Sequence, residues 1–292
     1  MTGDSFKRLF ASPSTVIICF FLVAMNTILG TLRWQVLLRT QGAILPFSRI
    51  LKLNLVGAFF NIALPGAVSG DFVKAVYVAK QFKDKRAAVF GSMLFDRILG
   101  ASAMIFVGAF SAALSCYLNW GGALPKLLLY SIGGVGCCVV LFFMYLFMSH
   151  RRDPLFSILK FFTRRSEKLG AVDRLYLGVM NYRAHPMRVL KALALSIAIH
   201  VLLVLMAFLI AESISFTPIS LVAMAVVVPI GMLATTIPVL PAGVGTGHAA
   251  FYALFHMVGS DQGAEVFSLI VLYQVLVGLI GGAVYLKMSA EK

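Results

Sequence analysis

Five stretches, about 14–33, 88–116, 124–148, 189–211 and 266–287, are long and predominantly apolar. Each has about the 20 residues a helix needs to cross a hydrocarbon core of about 30 Å. The basic residues between them are unevenly spread. The segment 149–191 carries Arg151, Arg152, Lys160, Arg164, Arg165, Lys168, Arg174, Arg183, Arg188 and Lys191, whereas 117–123 and 212–217 carry no Lys or Arg. Positive charge marks the cytoplasmic face, so 149–191 is predicted inside and the two uncharged connections outside. Lys80, Lys83, Lys85 and Arg86 then fall inside, as do Arg33, Arg39, Arg49 and Lys52.

This assignment leaves two apolar regions that are not simple spans. The stretch 53–80 begins and ends on the inner side. Its first limb, Leu53 to Leu64, rises only about 18 Å as a helix, then meets Pro65-Gly66 and Gly70, which break helices. It reads as a re-entrant hairpin, whose bare backbone must be buried in protein or line a water-filled cavity. The second region, 219–257, passes Pro229, Gly231, Pro238, Pro241, Gly243, Gly245 and Gly247 and begins and ends on the outer side. A pair of complete spans has the same parity. The runs Leu64-Pro65-Gly66-Ala67-Val68-Ser69-Gly70-Asp71 and Leu240-Pro241-Ala242-Gly243-Val244-Gly245-Thr246-Gly247-His248 are alike. Broken helices in two oppositely oriented halves point to an inverted repeat with a binding site near the midplane.

Composition strengthens the membrane assignment: 60% of the 292 residues are hydrophobic and 12% charged, with a mean hydropathy of +0.94. The net charge of +14 sits mostly in a few connecting segments, which excludes a nucleic-acid groove and favours attraction to anionic lipid. The segment 151–187 mixes Phe156, Leu159, Phe161 and Phe162 with basic residues, and lies along the cytoplasmic leaflet or forms a solvated loop. Cys19, Cys116, Cys137 and Cys138 lack C-x-x-C or His spacing and read as small packing residues, so neither a disulfide framework nor a metal is predicted. No hydrolase, zincin or nucleotide-binding motif is present, and no cofactor or catalysis is predicted.

Ionisable groups inside a membrane each cost about 2.5–3.5 kcal/mol at a helix centre, so each needs a reason. Asp71 follows the first break, where a carboxylate caps free N–H groups, and Lys74 is on the same helix face. Asp96 and Arg97 lie about 15 Å beyond Arg86. They point about 100° apart and need partners on other elements, for which Asp71 and Lys74 are the natural candidates. Gly243 to His248 expose backbone N–H groups before a helix, suited to phosphate, and a histidine such as His248 is the residue type that can couple transport to protons near neutrality. Arg33-Trp34 reads as an interfacial anchor.

Taken in order, Thr31-Leu32-Arg33-Trp34-Gln35-Val36-Leu37-Leu38, Phe59-Phe60-Asn61-Ile62-Ala63-Leu64-Pro65-Gly66, Gly70-Asp71-Phe72-Val73-Lys74-Ala75, Asp96-Arg97 and Leu240-Pro241-Ala242-Gly243-Val244-Gly245 resemble the lysylphosphatidylglycerol synthase transmembrane, or flippase-like, family. The resemblance implies a polytopic protein of the bacterial cytoplasmic (inner) membrane, related to the part of bifunctional synthases that translocates aminoacylated phospholipid. By position Asn61, Pro65, Gly70, Asp71, Asp96 and Arg97 match the family pattern, and Lys74 stands where an Arg is usual. The family's late motif usually ends in Arg-Glu, where this chain has Gly247 and His248.

The expectation is therefore an all-α, polytopic bundle forming one transmembrane domain over 1–292, its halves at about 14–148 and 189–287 joined by a basic segment at about 149–188. The expected translocation site comprises Asn61, Pro65, Gly66, Gly70, Asp71, Lys74, Asp96, Arg97, Pro241, Gly243, Gly245 and His248. Its expected partners are membrane lipids with an anionic headgroup. Two rival roles remain open on the residues alone: a non-transporting scaffold for a lipid-modifying enzyme or glycosyltransferase, and an intramembrane enzyme acting on lipid phosphate.

Overall fold

Hydropathy of this kind yields helices, and helices are what a computed structural model contains. It describes residues 8–9, 12–64, 69–118, 126–148, 160, 170–214, 219–236 and 241–290, with no strand among them. In chain order the helices are α1 (Pro13–Thr40), α2 (Phe47–Ala63), α3 (Ser69–Gln81), α4 (Arg86–Leu118), α5 (Lys126–Phe147), α6 (Gly170–Met180), α7 (Pro186–Ile214), α8 (Leu221–Ala234), α9 (Thr246–Met257) and α10 (Gly263–Ala290). Among the described residues, five of these, α1, α4, α5, α7 and α10, are long and apolar enough to cross a membrane. Their outer surfaces carry exposed side chains such as Phe21, Phe110 and Leu279, an arrangement suited to hydrocarbon and not to water. The chain is a multi-pass membrane protein.

Side-chain bonds gather the basic connections at one end of the bundle. Lys85 Nζ donates to Gly42 O (2.9 Å), Gln41 Nε2 to Gly178 O (2.6 Å), and Tyr182 Oη to Leu37 O (3.0 Å). The ends of α1, α3 and α6 and the starts of α2, α4 and α7 thus meet there, as the charge pattern predicted. At the opposite end, Arg8 and Gln262 both donate to Ile214 O. The described part of the basic segment, α6, docks on α4 and joins the bundle; most of 149–169 lies outside the described residues. Of the cysteines, Cys19 is buried, but Cys116, Cys137 and Cys138 are exposed, so packing does not account for those three.

The two hairpins enter from opposite ends. Helices α2 and α3 start and finish at the basic end; α8 and α9 start and finish at the other. The limbs have 17 and 13 residues in the first and 14 and 12 in the second. None of the four reaches the length of about 20 residues that a complete span requires. A close backbone crossing locks the first hairpin: a Cβ at Gly70 would fall 1.8 Å from Gly57 O, while Gly70 N donates to Asn61 Oδ1 at 2.8 Å. Helix α10 seats itself on α2 in the same way, with Gly281 against Leu55 O. The tip of α2 touches the turn Pro241–Gly243, so the two hairpins meet inside the bundle.

Candidate functional site

Beside this meeting point lie two ion-paired clusters, each assembled from different helices. In the first, Arg33 on α1 grips Asp96 on α4 with two bonds, Nε to Oδ1 at 2.7 Å and Nη2 to Oδ2 at 3.0 Å. Its third nitrogen, Nη1, donates to Ser196 Oγ on α7 at 3.0 Å. The bidentate fork fixes both planes and satisfies charges that the surrounding helices bury. His200, one turn further along α7, is buried beside it and bonds through Nε2 to Gly100 O at 3.0 Å. A carbonyl only accepts, so Nε2 carries the proton.

In the second cluster, Asp71 at the start of α3 is shared by two cations. Lys74 Nζ lies 2.7 Å from its Oδ1, and Arg97 on α4 pairs with its Oδ2. Lys74 also donates to Asn54 Oδ1 on α2 (3.1 Å) and sits 4.5 Å over the ring of Trp34. Asn54 Nδ2 in turn donates to Thr31 Oγ1 on α1 at 3.0 Å. The carboxylate and the ammonium are nearly enclosed; the Arg97 side chain remains 35% exposed. That residual exposure opens into the cavity between the hairpin tips.

The cavity has two adjoining chambers whose walls share Thr27, Arg97 and Thr236. The charged chamber, about 330 Å³, is lined by both ion-pair clusters. Its lining contains three cations, Arg33, Lys74 and Arg97, against the two carboxylates Asp71 and Asp96. The other chamber, about 430 Å³, is lined by Asn61 from the first hairpin and by Thr235, Thr236, Ala242 and Gly243 from the second. The chambers are of the size that holds small ligands and headgroups. An excess of positive charge in a low-dielectric wall attracts an anion far more strongly than it would in water.

The structure sorts the sequence-predicted residues. Asn61, Asp71, Lys74, Asp96, Arg97 and Gly243 are brought together around the cavity. Gly70 serves the hairpin crossing and not the wall. Pro65 and Gly66 lie outside the described residues, and of Pro241 the backbone alone is described. His248 is elsewhere: Nδ1 accepts from Gly245 N at 3.4 Å, Nε2 bonds Ser268 Oγ at 2.9 Å, and the ring stands edge-on to Phe267. Gly245 and His248 thus close the start of α9 onto α10 and line neither chamber.

Two expectations are corrected. Arg33-Trp34 is not an interfacial anchor, because α1 continues to Thr40 and Trp34 is fully buried beneath Lys74. The partner of Asp96 is Arg33 on α1 and not Lys74 of the first hairpin, although Asp71 does pair with Arg97. Sequence reasoning missed Asn26, Asn54, Ser196, His200 and Gln274. Their signal was available: each is a polar side chain inside an apolar helix, where such residues are rare and face the bundle interior. Among the described residues no group of three or more His, Cys, Asp or Glu side chains stands together to hold a metal ion.

Comparison with known proteins agrees with this architecture. The profile of the family described as the lysylphosphatidylglycerol synthase TM region matches residues 3–284. The UPF0104 membrane protein MJ1595 of Methanocaldococcus jannaschii is 25% identical over 100 residues, a stretch covering 34% of this chain and 30% of that protein. No solved structure matches. With the family's profile running through both hairpins and every helix that lines the cavity, this chain belongs to the lysylphosphatidylglycerol synthase transmembrane-region family.

Proposed function

We propose that this protein translocates a lipid across the bilayer, holding its anionic headgroup in the cavity between the two hairpin tips while the acyl chains stay in the membrane. The observation that carries this reading is Arg97: a cation paired to Asp71 deep in α4, with a third of its side chain open to a chamber walled by both hairpins. An open guanidinium edge lets an anionic headgroup approach a charge that a fully enclosed pair would keep from it. The basic end faces the cytoplasm in this reading, in line with the positive-inside bias. The hairpins enter as re-entrant elements from the two sides, and the lipid is moved without being chemically altered.

The test is a reconstituted vesicle assay that follows loss of inner-leaflet fluorescent phospholipid as it reaches a membrane-impermeant quencher outside. Wild-type protein is expected to accelerate exchange of anionic lipid over empty vesicles. Arg97→Gln should slow it by about ten- to a hundredfold, the loss of one charge-assisted contact of about 1.5–3 kcal/mol, with Arg97→Lys in between. No acceleration over empty vesicles with any of several anionic and zwitterionic lipids defeats the proposal.

A further inference from the structure

The second chamber has a different chemistry from the first. Asn26, Thr27, Asn61, Thr235, Thr236 and Gln274 bring six uncharged polar side chains into its wall, and no carboxylate is among its lining residues. Several of their hydrogen-bonding groups are uncommitted within the described residues. Asn26 Oδ1 is buried with no partner. Asn61 accepts from Gly70 N through Oδ1, which leaves its Nδ2 as a donor. The hydroxyls of Thr27, Thr235 and Thr236 each donate to a carbonyl of their own helix and keep lone pairs to accept with. Gln274 adds both a donor and an acceptor. The wall therefore offers donors and acceptors side by side, with Arg97 at the boundary between the chambers.

We infer that the headgroup taken by this site is a phosphodiester bearing a neutral, hydroxyl-rich moiety, such as phosphoglycerol or a sugar phosphate, and not an aminoacylated or other ammonium-bearing headgroup. This rests on the translocation site proposed above and specifies what it selects. A hydroxyl both donates and accepts, so it uses a mixed wall fully. An ammonium group only donates; here its charge finds no carboxylate in the neutral chamber, and in the charged one it meets an excess of cations. The phosphate sits at Arg97 and the hydroxyls reach toward Asn26 and Gln274.

The test uses the full chain purified in detergent and short-chain (dioctanoyl) lipids, with affinity read by native mass spectrometry or thermal shift. Phosphatidylglycerol and phosphatidylmethanol carry the same single negative charge and differ in their hydroxyls. Phosphatidylglycerol is expected to bind about tenfold tighter, the discrimination that one or two hydrogen bonds of about 1 kcal/mol provide. It should also bind better than lysyl-phosphatidylglycerol. The Asn26→Leu/Gln274→Leu double variant should lose most of the preference over phosphatidylmethanol, whereas Arg97→Gln should weaken both lipids alike. Equal binding of phosphatidylglycerol and phosphatidylmethanol, or tighter binding of the lysyl lipid, overturns the inference; this wild-type comparison stands even if the double variant does not fold. Binding preference without movement in vesicles defeats the translocation reading instead, and movement without preference defeats only the inference.

Discussion

Replacing Asp96 with Asn is expected to destabilise the protein by about 3–5 kcal/mol, the cost of leaving a buried charge without its partner. Arg33 is held by both carboxylate oxygens, and its side chain is only 14% exposed. Asparagine is nearly the same size as aspartate, so the change removes charge and one acceptor while leaving packing intact. Ser196 remains as a neutral acceptor and does not compensate a guanidinium. The fall should appear as a lower thermal midpoint and early aggregation on size exclusion in detergent. Arg33→Met/Asp96→Leu should recover most of the loss, because removing both charges also removes their desolvation cost. If Asp96→Asn melts with the wild type, or the double variant melts no higher than the single, the pair is not desolvated and the first cluster is not a structural clamp. The double variant separates two roles: a clamp alone predicts that it still transports, whereas a headgroup contact at Arg33 predicts a folded protein with reduced transport.

The five spans could be read directly because length and hydropathy are properties of consecutive residues. The end of the bundle at which each hairpin begins could be read for a similar reason, since charge counts in connecting segments need no knowledge of packing. Pairings across the chain were harder. Asp96 and Arg97 were recognisable as needing partners, with Asp71 and Lys74 as candidates, because an isolated charge that deep is costly. Arg33 was misread because the first span seemed to end there. Only the fold shows that α1 runs on to Thr40, and that a residue 63 positions away lets Arg33 stay inside. The surroundings of His248 could not be read locally, because the partner that commits its ring, Ser268, lies on the last helix. The neutral half of the cavity was hidden because single Asn, Gln and Thr residues barely alter an apolar average, and what unites them is a shared wall.

The hairpin crossing gives the other large effect: Gly70→Ala is expected to abolish transport while costing about 1–3 kcal/mol of stability, the range for overpacking a tight site. The added Cβ would lie 1.8 Å from Gly57 O and 2.8 Å from Asn61 Cγ. A carbon needs more than 3 Å from either, and the obstacle at Gly57 is backbone, which no rotamer change relieves. Helices α2 and α3 must therefore part by more than an ångström. That separation breaks the Gly70 N to Asn61 Oδ1 bond and stretches Lys74 away from Asn54, which also hold the limbs in register. Asp71, one residue from the crossing, then shifts from Arg97, so both the charged chamber and the tip that carries Asn61 lose their geometry together. Gly133→Ala serves as the control. It lies in α5 with nothing within 4 Å of an added Cβ, and alanine is the better helix former, so it should be neutral or slightly stabilising and transport normally. Vesicle exchange rates and detergent melting of the two variants decide the matter. Full transport by Gly70→Ala would mean that the first hairpin need not stay closed for the site to work, and that the tip seen beside Arg97 is not the part that meets the lipid.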